Sequence, residues 1–142
     1  MCKIGDIIAV QKFIGDGNRE VGNHYFVVLS DVNGKIEGLN FDIVANVMSS
    51  FHTDSQRNKK LKYQANLEIT EKDGVINNHN LKKGYIKVEQ LFYFDKLKTN
   101  YFVVGQVDGD VLIKILQLIE YLDTKGKLKQ NIENLKDVNI TC

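Results

Sequence analysis

The feature that most restricts the fold is a change of period at Asp108. Before it, apolar residues come in short β-branched and aromatic runs. After it, Leu112, Ile115, Leu116, Ile119 and Leu122 recur at three- and four-residue intervals, with Val111 and Leu118 widening the stripe. The first pattern belongs to buried or half-buried strands and the second to an amphipathic helix. That order predicts an α+β protein, mainly β: a small, strongly bent barrel with a C-terminal helix packed on it. A helix so apolar needs cover on more than one side, from the barrel and, as one reading, from a second subunit.

Asp6 to Ile14 reads as the first strand, behind the Gly5-Asp6 turn signal. Gly15-Asp16-Gly17-Asn18-Arg19-Glu20-Val21-Gly22-Asn23 then forms a polar loop that runs through His24 into the apolar strand from Tyr25 to Ser30. Its three glycines permit unusual backbone angles and close approach of a partner. The loop is therefore either a binding loop on a rigid strand or a plain hairpin connection. Asp31-Val32-Asn33-Gly34 signals a turn, and the mostly apolar run from Phe41 to Met48 predicts a central third strand. Polar and basic residues between Ser49 and Gln64 show no sustained period and predict a loop.

Ala65 to Thr70 alternates as a half-exposed strand. Gly84 to Phe92 is a fifth, with Tyr85, Lys87, Glu89 and Leu91 on one face and Ile86, Val88, Gln90 and Phe92 on the other. Tyr101 to Val107 is the last. Gly126 stops the helix, and Leu128, Ile132 and Leu135 suggest a weaker final one. The chain thus divides into residues 1–123, a barrel with its terminal helix, and 124–142, a partly helical appendage.

A length of 142 residues is one domain that needs no covalent staples. The net charge of +1 supplies no global attraction to nucleic acid, so any such site must come from local clusters. Arg57-Asn58-Lys59-Lys60-Leu61-Lys62 and Lys82-Lys83 are the visible ones, either as phosphate contacts or as solvated loops. Phe51, His52, Arg57, Lys59, Lys60, Lys62 and Tyr63 mix cations with rings, a combination suited to phosphate contact and base stacking on a single strand. Cys2 and Cys142, at the two extremes, make neither a disulfide framework nor a metal set, and read as reduced thiols of a cytoplasmic protein. No apolar run has signal-peptide character or membrane-spanning length, so no membrane partner is expected.

Four stretches stand in a suggestive order: Gly5-Asp6-Ile7-Ile8-Ala9-Val10, then Gly22 with Tyr25-Phe26-Val27-Val28-Leu29-Ser30, then Leu81 through Phe92, then Val104-Gly105-Gln106-Val107 ahead of the helix. Over roughly residues 3 to 122 they resemble the MazF/PemK (Kid-like) family of bacterial toxins. The resemblance implies an SH3-like barrel, a homodimer, and an endoribonuclease that cuts single-stranded mRNA by attack of the ribose 2′-hydroxyl, without metal or other cofactor. It also implies a cognate antitoxin protein whose extended segment occupies the RNA groove.

Carried over residue by residue, the family's catalytic arginine falls on His24 and the proline after it on Tyr25, in a chain that contains no proline. Histidine keeps acid–base chemistry but gives up a permanent bidentate phosphate clamp. A packing or loop hydrogen-bond role is its alternative. The family's catalytic threonine or serine falls on Met48, with Ser49 placed to substitute if the strand end shifts by one residue. Its loop histidine aligns with Asn18. Its arginine and aspartate before glutamine are matched in charge by Lys87 and Glu89 before Gln90, as a cation and base beside the groove or as an exposed ion pair. Arg19 and Glu20 lie in the loop that caps the family's groove, where Arg19 can supply the missing cation.

The expected catalytic set is His24, Arg19, Ser49, Lys87 and Glu89. The expected contacts to single-stranded RNA are Asn18, Glu20, Arg57, Lys59, Lys60, Lys62, Tyr63 and Gln90. Loss of both the arginine and the threonine motivates a competing expectation, a catalytically silent SH3-like module that binds nucleic acid or an antitoxin-like peptide.

Overall fold

The computed structural model describes residues 2–11, 13–14, 20–21, 24–30, 43–94 and 99–131, with backbone alone at 13–14, 20–21, 30 and 129–131. Asn18, Arg19 and Gly22 of the glycine loop, the turn at 31–34, and Ile132, Leu135 and Cys142 lie outside the described residues.

Strand β5 (Ile43–Ser50) is the spine of the sheet, and its residues from Ile43 to Met48 are all buried, as a run apolar on both faces requires. On one side it pairs antiparallel with β4 (His24–Ser30), and β4 with β1 (Asp6–Val10). Next come β11 (Tyr101–Val107) and the hairpin of β7 (Gly74–Ile76) and β8 (His79–Asn80). On its other side β5 pairs with two strands in succession, β10 (Gln90–Phe94) along Ile43 to Ala45 and β9 (Gly84–Lys87) along Met48 to Ser50. β6 (Asn66–Ile69) extends β9, and β12 (Lys129–Asn131) extends β10 in parallel. A separate two-stranded ribbon joins β2 (Phe13–Ile14) to β3 (Glu20–Val21).

The sheet curls into a half-barrel, and Phe26 meets Phe92 and Phe94 edge-on in its core, at centroid distances of 5.2 and 5.1 Å. Helix α2 (Gly109–Thr124) follows β11 and adds Val111, Ile115 and Leu122 to that core. Leu116, a member of the predicted apolar stripe, stays exposed with Ile113 and Tyr121. Gly126, at φ +65°, ends the helix: its N–H bonds Asp123 O at 3.0 Å and Lys127 N–H bonds Leu122 O at 2.9 Å, the paired closure that a left-handed residue after a helix permits. The fold is the α+β, mainly β, small barrel with a terminal helix that the change of period predicts. Among the described residues no helix is long and apolar enough to cross a membrane.

Four elements differ from expectation. The strand expected from Asp6 to Ile14 ends at Val10, and Phe13–Ile14 belong instead to the separate ribbon with β3. The strand expected over Gly84 to Phe92 is broken. Met48 pairs with Ile86 and Ala45 with Phe92, so three steps along β5 span six along its partner. The excess bulges out around Val88 and Glu89, and the alternation that put Lys87 and Glu89 on one face does not survive it. Asn46, fully buried opposite the bulge, donates from Nδ2 to Val88 O at 3.3 Å and to Gln90 O at 2.6 Å, while Val88 N–H bonds Ala65 O at 3.0 Å.

The predicted loop between Ser49 and Gln64 contains a helix, α1 (Asp54–Leu61). It buries no residue, so it carries no apolar period to read, and its ends hold it instead. Thr53 Oγ1 accepts Gln56 N–H at 3.0 Å, Gln56 Oε1 accepts His52 N–H at 2.6 Å, Asp54 lies in the first turn, and Lys59 and Lys60 lie in the last. The sequence signal was the pair Thr53 and Gln56, spaced as in a capping box.

Finally, where a weaker helix was expected after Leu128, residues 129–131 are a strand. Leu128 packs on the core, and the unpaired edge of β10 offers the following backbone a ladder.

Two stability measurements check these assignments. Asn46→Ala leaves the buried carbonyls of Val88 and Gln90 without their donor, a loss of about 2–4 kcal/mol read from the urea midpoint; a loss below about 1 kcal/mol would refute the role given to this amide. Burial pushes the hydroxyl of Tyr93, on β10 opposite Val44, up from its ordinary value of 10.0 to about 12. Between those values the unfolded chain has released this proton and the folded chain retains it, so the linkage slope is negative. Stability should fall across that window by on the order of 2 kcal/mol, and Tyr93→Phe should remove this part of the fall.

Candidate functional site

β9 pairs with one edge of β5 and β4 with the other, and a groove of about 920 Å³ opens beside the C-terminal end of β5. One wall is β5, β9, β6 and α1, which present Ser49, Tyr85, Ile69 and Lys60. Ser49 pairs with Tyr85, whose ring stacks on Phe51 at 5.1 Å. The close approach here depends on Gly84, since a Cβ at that position would collide with the Ser49 carbonyl oxygen.

The second wall is β4, β1 and β11. Tyr25 pairs with Ala9 and Ala9 with Phe102, so these three lie in one row across the sheet, and all three line the groove. His24 stands at the start of β4. Phe26 pairs with Val47, two residues short of His24 and Ser49 on their strands, so these two occupy the same end of the strand pair. Both line the groove.

The third side is the β7–β8 hairpin and the link that follows it, with His79, Lys82 and Lys83. Asn77 and Asn78 turn the hairpin with φ of 51° and 65°, the left-handed pair that a two-residue loop between twisted strands needs. Asn77 N–H anchors the turn to Val104 O at 2.7 Å. β7 lies so close on β11 that a Cβ at Gly105 would enter the space of the Val75 carbonyl. The hairpin is thereby set against the sheet with His79 and Asn80 exposed beside the groove.

Of the residues expected from sequence, His24, Ser49, His52 and Lys60 line this groove. Met48 lines it too, itself buried, a thioether where the resemblance implies a hydroxyl. The others stand elsewhere. Arg57 donates from Nε to Glu68 on β6 at 2.8 Å and forms an ion pair with it. Lys59, Lys62 and Tyr63 are exposed on and after α1 without lining the groove, and Lys87 and Glu89 flank the bulge, half-buried, also away from it. Gln90 is buried, with its carbonyl bonded to Asn46. Glu20 is described in backbone alone, in β3, and Asn18 and Arg19 fall outside the described residues.

His52 and His79 were not expected as a pair with His24, yet the chain's three histidines all line this one groove. Lys60, Lys82 and Lys83 line it with them, and no aspartate or glutamate does among the described residues. A chain with a net charge of +1 therefore has a locally cationic cleft that also carries imidazoles, the side chains most used for general acid–base work. Among the described residues no group of three or more histidines, cysteines or carboxylates is placed to hold a metal ion. Lys82-Lys83 was visible in the sequence as a charge cluster, but the convergence of His24, His52 and His79, each in a different part of the chain, has no local signature.

Neither a protein-family model nor a curated protein matches the chain.

The hairpin that carries His79 gives a direct test of this wall. Asn78→Gly relieves the left-handed strain and should raise stability by up to about 1 kcal/mol, whereas Asn78→Val should lower it by about 1–2 kcal/mol, both read from urea unfolding. Equal stability in the two variants would contradict the turn geometry.

Proposed function

We propose that this groove binds single-stranded RNA and cleaves it by transesterification, in the manner of the MazF/PemK-like toxins that the sequence resembles. The observation that carries the reading is the gathering of three histidines, three lysines and Ser49 in one groove that no carboxylate lines among the described residues. Such a cleft attracts a phosphodiester chain and supplies groups that can move protons at the scissile bond.

In this reaction the ribose 2′-oxygen forms a bond to the adjacent phosphorus as the bond to the 5′-oxygen breaks. One imidazole takes the 2′-hydroxyl proton and another protonates the departing 5′-oxygen, leaving a 2′,3′-cyclic phosphate and a 5′-hydroxyl. Lysine ammonium groups offset the charge that develops on the phosphorane oxygens. His24, His52 and His79 are the candidates for the two proton transfers. Lys60, Lys82 and Lys83 are the cations, and Ser49 is a hydrogen-bond donor to phosphate beside His24. The balance of the step calls for no further reactant.

The same reading carries a homodimer, a cytoplasmic location and a cognate antitoxin that competes for the groove. One observation favours a second reading, binding without cleavage: Met48 occupies the wall where a hydroxyl was expected, and Lys87 and Glu89 lie outside the groove.

Purified protein incubated with mixed-sequence RNA in chelator distinguishes the two. Cleavage predicts fragments ending in cyclic phosphate and a loss of about 10²- to 10⁴-fold in rate for His24→Ala. The double variant Lys82→Ala, Lys83→Ala should bind RNA more weakly, with a log–log salt slope shallower by about 1.4. Salt-dependent binding without fragments at any protein concentration would replace the nuclease by the binding module. Absence of binding would overturn both.

A further inference from the structure

Two of the groove's aromatic rings are large, apolar and turned to solvent. Tyr25 is 42% and Phe102 50% exposed, and among the described residues neither ring stacks on another. They are not scattered, because the register places Tyr25 opposite Ala9 on one side and Phe102 opposite Ala9 on the other. Residues directly opposite in antiparallel strands point to the same face, and neighbouring strands lie about 4.8 Å apart. The two rings therefore rise from the sheet about 9–10 Å apart, with only a methyl group between them. A planar ring inserted between two others needs about 7 Å, twice a stacking contact of about 3.5 Å. The row is wide enough for one flat heterocycle and too narrow for a second beside it.

We propose that Tyr25, Ala9 and Phe102 form a slot that takes one unstacked nucleobase of the bound strand, with Ala9 as its floor. The proposal rests on the reading of the groove as an RNA site and specifies how that site grips its substrate. Lys60, Lys82 and Lys83 line the same groove, so a phosphodiester chain held by these cations can turn one base inward onto the rings. A single-stranded nucleic acid supplies both features, a negative backbone and bases free to leave their neighbours. Discrimination at this position comes from stacking, so the slot favours purines over pyrimidines by their larger face.

The test uses the full chain and a short RNA in which 2-aminopurine is moved through each position, beside an equally long oligonucleotide lacking bases. The slot predicts strong quenching of the probe at one position. Ala9→Leu, which fills the floor, and Phe102→Ala, which removes a half-exposed wall, should each abolish that quenching. Each should also weaken binding of the base-bearing RNA about 10- to 100-fold while leaving the abasic strand within twofold. Thermal melting of both variants confirms that the fold is kept, and Phe102→Ala stands as the test should Ala9→Leu fail to fold.

Quenching that survives both substitutions, or that occurs at no position of a bound RNA, overturns the slot and leaves the groove standing. Equal losses for base-bearing and abasic strands also overturn it, because the substitutions then act on the groove as a whole. If the native protein binds neither strand, the RNA reading falls and the slot with it.

Discussion

One buried amide, that of Asn46, decides how this sheet is put together. A strand paired with two different partners along one edge leaves backbone carbonyls unpaired at the junction, and in a core those carbonyls require a donor. Asn46 Nδ2 bonds two of them, Val88 O and Gln90 O, from within the strand they would otherwise have paired with. The three surplus residues of the partner strand can then bulge out without opening the core. β10 continues the main sheet towards β12, while β9 leaves it to pair with β6. The groove lies beside Ser49, where the spine strand borders a wall of β9, β6 and α1 on one edge and a wall of β4, β1 and β11 on the other.

The electrostatics of the groove are a matter of sorting rather than of net charge. Nineteen basic and eighteen acidic residues nearly cancel over the chain. The one arginine of α1 is paired with Glu68 on the outer strand β6, whereas Lys60 of the same helix lines the groove. Lys82 and Lys83 reach it from the link after β8 because the hairpin is held tightly on β11, where Gly105 admits the Val75 carbonyl. Three lysines and the exposed rings of Tyr25 and Phe102 thus line the same groove, which is what supports the proposal of a single-stranded polynucleotide as its ligand.

How much of this was legible depended on whether the signal was local. The change of period at Asp108 identified α2, and the apolar run of β5 identified a central strand, because burial on one side of a helix or both sides of a strand writes itself into neighbouring residues. Helix α1 has no buried face, so only its cap, Thr53 with Gln56, marked it. The even alternation of Lys87 and Glu89 was a real pattern with a false implication, since a bulge of an odd number of residues reverses facing without altering composition. In the groove, His24 and Ser49 were reached only through the family resemblance, carried over along the strands that hold them. His52 was named only within a mixed run of cations and rings, and His79 was not reached at all, because it follows a two-asparagine turn and carries no periodic signal.

The sequence by itself determined the class of fold, the order of its main strands, the terminal helix with its stop at Gly126, and the chemical types available to a site. These are properties of residues two to four apart, where period, caps and turn geometry act. Only the tertiary structure decided the register of β5 against β9 and β10, the parallel addition of β12, and the meeting of three histidines, three lysines and the row of Tyr25, Ala9 and Phe102 around one groove. Those depend on pairings between residues far apart in the chain, in which a buried asparagine and a few glycines set offsets that no local period records.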